Sequence, residues 1–161
     1  MNSFSTMLDA FTKAVEANDG RGLAALFTED GVYDDGFYGA HRGREAIAAM
    51  LRRFHDEGRD FKWDFLDPVT DGSKGYARYC FSYASRLADH RDRPVVFRGM
   101  SFFTLRDGQI AHYSETFDRG MAMAQLDFPP ERIKRALTRM SDRQNAEADC
   151  RVHLARLQTA K

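Results

Sequence analysis

The sequence predicts an α+β domain, with helices gathered on one face of a bent, mostly antiparallel sheet. Three observations lead there. Apolar residues recur at helical spacing up to Glu57, alternate at strand spacing from Phe61 to Asp118, and return to helical spacing after Pro129-Pro130. At 161 residues the chain suits one core. We expect that core to occupy residues 1–128, with 129–161 a helical extension of the same domain. No repeat, linker or low-complexity tract divides them.

Phe4, Met7, Leu8, Phe11 and Val15 form the apolar stripe of a first helix, which Asn18-Asp19-Gly20 stops. Leu23, Leu26 and Phe27 belong to a short second helix, and Thr28 to Gly31 is a turn by composition. Val32 to Asp35 reads as a short strand entering a glycine-rich bend, Gly36 to Gly43. A third helix runs from about Arg44 to Glu57, with Ile47, Met50, Leu51 and Phe54 on one side and Gly58 at its end. Phe61, Trp63 and Phe65 then alternate with Lys62 and Asp64 until Pro68 and Asp71-Gly72 close the strand. Tyr76 to Leu87 alternates over a longer run, and Val95 to Leu105 is apolar on both faces, as in a strand covered on both sides. Arg106-Asp107-Gly108 reads as a three-residue hairpin connection to a last strand, Ile110 to Asp118. Proline at the first turn suits a helix opening at Pro129-Pro130, whose apolar side is Ile133, Ala136, Leu137 and Met140. Beyond Ser141 the pattern weakens, and that tail is expected to pack on a partner subunit or fray.

Composition removes several classes of function. Lys plus Arg and Asp plus Glu balance at 24 each, so no basic excess marks a nucleic-acid partner. No apolar run approaches the ~20 residues that span a bilayer, and Met1 to Asn18 lacks the build of a signal peptide. No membrane partner is expected, and a cytoplasmic location is the default. Cys80 and Cys150 form no CxxC pair, and His41, His55, His90, His112 and His153 show no ligand spacing. The glycine-rich stretches lack a phosphate-loop pattern. We therefore expect no metal and no cofactor. The 13 Phe, 6 Tyr and single Trp supply bulk for a core or an apolar pocket, and a small-molecule partner fits that balance.

Specific residues add a resemblance. Ala25-Leu26-Phe27-Thr28-Glu29-Asp30-Gly31-Val32-Tyr33, then Gly39-Ala40-His41-Arg42-Gly43-Arg44-Glu45-Ala46-Ile47, resembles the NTF2-like superfamily. Asp107-Gly108-Gln109-Ile110, followed by Tyr113, Glu115, Phe117, Asp118 and Gln125-Leu126, resembles its SnoaL-like branch, which includes polyketide cyclases. The resemblance covers roughly residues 4 to 127. It implies a cone-shaped α+β fold, commonly dimeric, with a pocket between the concave sheet and the helices. It also implies that Glu115 sits in that pocket, because the matching acid does so in SnoaL-like cyclases and in limonene-epoxide-hydrolase-like enzymes.

Strand alternation groups Tyr113, Glu115 and Phe117 on one face of the last strand, the expected pocket wall. A dry pocket would raise the Glu115 carboxyl toward neutrality, as a general acid or base requires; the plainer alternative is an ion pair with Arg78 or Arg86. Asp35 matches the proton-shuttling acid of the superfamily's steroid isomerases, a worked case of tuned carboxyls. Its plainer alternative is a turn aspartate bonding its own backbone before Gly36. Tyr33 would position a substrate oxygen or fill the core. Departures limit the transfer: the isomerases' oxyanion tyrosine matches Phe11, their protonated acid falls near Ser101, and the epoxide hydrolases' Arg-x-Asp pair aligns with Ser82 and Ala84.

Together these readings nominate Asp35 and Glu115 as catalytic, and Tyr33, Tyr113, Phe117, Ser82, Phe97, Ser101 and Phe11 as substrate-binding. The expected function is cofactor-independent proton transfer on a largely apolar, oxygenated molecule in an enclosed pocket: a cyclisation, isomerisation or dehydration. The alternative is a non-catalytic ligand-binding or dimeric module on the same fold. Tyr79, Phe81 and Tyr83 are expected on the convex face, where a partner sheet would cover them in a homodimer.

Overall fold

The computed structural model describes residues 3–159, so the outermost positions of the expected units, 1, 2, 160 and 161, lie outside the described residues. Helix α1 (Ser3–Glu16) buries Phe4, Leu8, Phe11 and Val15 of the predicted stripe, with Met7 partly buried beside them. Asp19 caps α2 (Gly20–Ala25) by accepting the Gly22 amide at 2.8 Å. Strand β1 (Phe27–Asp35) begins earlier than the sequence suggests, because the acid-rich turn is a register shift within the strand between Phe27 and Val32. The glycine-rich bend holds a further strand, β2 (Gly39–Arg42), paired antiparallel to β1. Helix α3 (Arg44–Glu57) then buries Ile47, Met50 and Leu51.

Four long strands follow: β3 (Gly58–Thr70), β4 (Lys74–Ser85), β5 (Pro94–Arg106) and β6 (Gln109–Phe117). The sheet runs β2-β1-β6-β5-β4-β3 and does not close; β1 and β6 are parallel and the other neighbours antiparallel. Pro68 does not end β3 as the sequence suggests. That strand is at the edge, and its register shifts between Leu66 and Val69 beside Asp67 at φ 51°, a bulge where the missing amide hydrogen costs no ladder bond. A second shift lies between Arg59 and Lys62, at Asp60 with φ 57°. Bulges of this kind bend a strand and let the sheet curl over the helices. The β5–β6 connection is two residues, not three. Asp107 and Gly108 carry φ 53° and 77°, the paired left-handed conformation of a type I′ turn.

The curl decides which residues face inward. Tyr79 and Phe81 are buried on the concave face, at ring distances of 4.9 Å each from Trp63, and Tyr83 stacks on Phe61 at 5.5 Å. The expectation that this trio lies on the convex face is therefore wrong. With period two, a one-residue slip turns every side chain over. Ser82 and Cys80 point outward instead, in register with Val96 and Arg98. Nor is β5 covered on both sides within the chain, since Val96 and Met100 are exposed on that outer face.

Past β6 the chain makes a helix that periodicity alone leaves hidden, α4 (Arg119–Gln125), capped by Asp118 accepting the Met121 amide at 2.8 Å. Proline-headed α5 (Pro130–Asn145) packs on α4 and has no buried residue, and α6 (Ala148–Thr159) completes the extension. Among the described residues no helix is long and apolar enough to cross a membrane.

Candidate functional site

A cavity of about 390 Å³ lies between the concave sheet and α3, α4 and α5. Its sheet wall is aromatic, with Phe61, Trp63, Phe81, Phe97 and Phe117 exposed to the space. Phe97 and Phe117 stack at 4.4 Å and 16°, and Phe37 closes edge-on against Phe117 at 5.0 Å. The cavity is partly open, not enclosed as expected, because α5 covers it with surface side chains alone.

Asp35 and Glu115 both line this space. They come from the ends of β1 and β6, whose parallel pairing sets Tyr33 beside Tyr113 and Asp34 beside Ser114. Among the described residues Glu115 makes no ion pair: of its two expected alternative partners, Arg78 binds Asp67 instead and Arg86 forms no salt bridge. Its Oε2 accepts two hydroxyls, from Tyr79 at 2.8 Å and Tyr113 at 3.1 Å, while Oε1 takes only a long contact of 3.4 Å from the Gly36 amide. Tyr113 in turn bonds the buried Ser101 hydroxyl at 3.0 Å. The two tyrosine donors fix Oε2 as an acceptor, so a proton on this carboxyl resides on Oε1.

Burial pushes the Glu115 carboxyl up to about 7, and the negative charge of Asp35 adds to the rise. The bonds from Tyr79, Gly36 and Tyr113 oppose it without cancelling it. Burial likewise raises Asp35, against the amides of Tyr38 and Phe37, which Oδ1 accepts at 2.7 and 2.8 Å, and the nearby charges of His41 and Arg119. Asp35 thus performs the turn role foreseen as its plainer reading while still facing the cavity. Arg119 donates to the Gly36 carbonyl and holds the bend against α4. A Cβ on Gly36 would meet the Phe117 ring at 2.4 Å, so only glycine lets the bend approach the wall this closely.

The other nominated residues divide. Tyr33, Phe97 and Phe117 line the cavity, whereas Tyr113 and Ser101 stand behind Glu115 and support it. Phe11 is a correction: it is fully buried among aromatic rings, 6.0 Å from Tyr33 and 5.4 Å from Trp63, and does not reach the space. Ser82 is another, facing outward for the reason given above. Tyr79 is the residue that sequence reasoning missed. It was missed because its place beside Phe65, with Trp63 beside Phe81, appears only once β3 and β4 are paired, when the two aromatic alternations share one face. Among the described residues no three His, Cys, Asp or Glu side chains gather as a metal-binding group.

The raised carboxyl sets a pH dependence of stability. Below the ordinary glutamate value of 4.5 Glu115 is protonated in both folded and unfolded chains; between 4.5 and about 7 the unfolded chain ionises first. Its contribution is thus fully present at low pH and lost as pH rises through that window, by up to about 3 kcal/mol. Urea unfolding at pH 4.5 and pH 8 should show that difference in the native protein relative to Glu115→Gln. Parallel curves for the two proteins would refute the raised value.

The SnoaL-like domain profile matches residues 8–113. Among solved structures, a candidate polyketide cyclase of Xanthomonas campestris pv. campestris is 25% identical with a TM-score of 0.65, covering 77% of this chain and 96% of its own. A protein with a ketosteroid isomerase-like fold from Catenulispora acidiphila is 19% identical (TM-score 0.68, 77% and 97% covered). An LEH-like epoxide hydrolase of M. tuberculosis is 21% identical (TM-score 0.63, 77% and 89% covered). Among curated proteins none matches the chain.

Proposed function

The chain belongs to the SnoaL-like domain family, and from that premise we propose that its cavity is an acid–base site for a largely apolar, oxygenated small molecule. One observation carries the reading. Two carboxyls, Asp35 and Glu115, face a single aromatic cavity, and among the described residues no cation is paired to either by a salt bridge. Burial raises both carboxyls, so within such a pair one partner can accept a proton while the other supplies one. Glu115 Oε1 is the exchanging atom. Tyr79 and Tyr113 hold the carboxyl in place and stabilise its ionised form through Oε2. Tyr33 lines the same space with its hydroxyl in a hydrogen bond with Tyr113, and burial keeps that phenol protonated. These parts suit enolisation next to a carbonyl, the step shared by aldol-type cyclisation and isomerisation.

The test uses 2-tetralone, an apolar ketone with acidic α-protons, in heavy water with exchange followed by proton NMR. The protein should accelerate exchange well beyond a buffer control, with saturation. Binding without acceleration would favour a plain binding module, the reading that the turn role of Asp35 supports. A homodimer would use the outer face, where Leu66, Val69, Tyr76, Val96 and Met100 are exposed. Light scattering at micromolar concentration tests that, and a monomer removes it.

A further inference from the structure

We propose that Arg132 and Arg139 of α5 read a carboxylate on the substrate, so that the site takes apolar carboxylic acids with the acid group at the helix side of the cavity. The proposal rests on the acid–base reading of the same cavity and names its substrate class. Both arginines line the space, two turns apart on one helix face, with Ala136 and Met140 lining it alongside them. Five other arginines are engaged by carboxylates: Arg53 by Glu57, Arg59 by Asp92, Arg78 by Asp67, Arg93 by Asp127 and Arg106 by Asp30. Among the described residues Arg132 and Arg139 have no such partner in a salt bridge. The carboxylate that lines the cavity near α3, Glu57, is already taken by Arg53 and by the Tyr38 hydroxyl.

Arg132 is also oriented. Its guanidinium carbon lies 3.9 Å over the Phe128 ring, a cation–π contact that anchors the head group at the cavity. An in-plane fork is what a carboxylate accepts in bidentate fashion. The negative character of the Asp35–Glu115 pair repels an anionic group from the other lining, so charge alone sets the direction in which the ligand lies. The apolar body then runs along Phe61, Phe81 and Phe97, and the reacting carbon meets Glu115.

The single tryptophan, Trp63, lines the cavity and reports binding by its fluorescence. The probes are 4-phenylbutanoate and its neutral counterpart, 4-phenylbutanamide, titrated into the full chain. The acid should bind at least about tenfold more tightly than the amide, and added salt should shrink that ratio. In the double variant Arg132→Ala/Arg139→Ala, whose exposed positions spare the core, the ratio should fall toward one. Equal binding of acid and amide to the native chain, an undiminished ratio in the variant, or binding of neither probe would each overturn the proposal. Failure of the acid–base reading appears separately, as an intact acid preference with no acceleration of 2-tetralone exchange.

Discussion

Replacing Glu115 by Gln is expected to lower the protein-catalysed exchange of 2-tetralone by about 10²–10⁴-fold, the usual worth of a positioned general acid or base. The change is isosteric, so the Tyr79 and Tyr113 hydroxyls keep an acceptor at the amide oxygen, in the place of Oε2. What is lost is a basic Oε1, since an amide nitrogen cannot take a proton there. Asp35→Asn should act differently. Its Oδ1 can still cap the bend, but removing its charge takes away one of the two influences that raise Glu115, so the lower limb of the pH–rate profile moves to lower pH. A Glu115→Gln variant with native exchange rates would remove Glu115 from the chemistry. An Asp35→Asn profile that stays in place would show that the two carboxyls do not act as a pair.

Much of this site is legible before any fold is known, and the reasons are physical. Glu115 stands out because alternation places it between Tyr113 and Phe117 on one face, and Asp35 because it ends a strand before a glycine-rich bend where the superfamily resemblance implies an acid. Helices α1 and α3 are legible because their stripes are long and unbroken. The face of β4 is not. Tyr79, Phe81 and Tyr83 alternate with Cys80, Ser82 and Ala84, both sets small or apolar enough to be buried, so only the pairing partner settles which points inward. Helix α4 escapes because seven residues span less than two turns and show no period, although Asp118 in front of it is an ordinary cap. The contribution of α5 to the cavity escapes for another reason. Its apolar side is visible in sequence, but arginines on a charged helix read as solvated until the sheet they overhang is in place.

Phe11 packs behind the cavity-lining rings of Tyr33 and Trp63, and truncating it to Ala is expected to destabilise the fold by about 3–5 kcal/mol. Although the superfamily resemblance aligns it with a residue that touches substrate, its ring here is fully buried. It meets Trp63 at 5.4 Å, Phe65 at 5.5 Å and Tyr113 at 5.3 Å, with Tyr33 stacked at 6.0 Å and Phe103 edge-on at 6.4 Å. Rings on β1, β3, β5 and β6 thus converge on one side chain of α1, and the void left by Ala cannot be filled without moving several strands. Two of those rings, Tyr33 and Tyr113, belong to the site itself, so the loss propagates to the hydroxyl that holds Glu115. Urea unfolding measures the cost as a shift in midpoint at constant slope. If Phe11 were pocket wall, Ala would enlarge the cavity at a cost under about 1 kcal/mol and tighten binding of bulkier ligands instead. A small loss of stability with altered ligand fit would therefore return Phe11 to the binding surface, and a large loss makes it the keystone on which the acid pair is mounted.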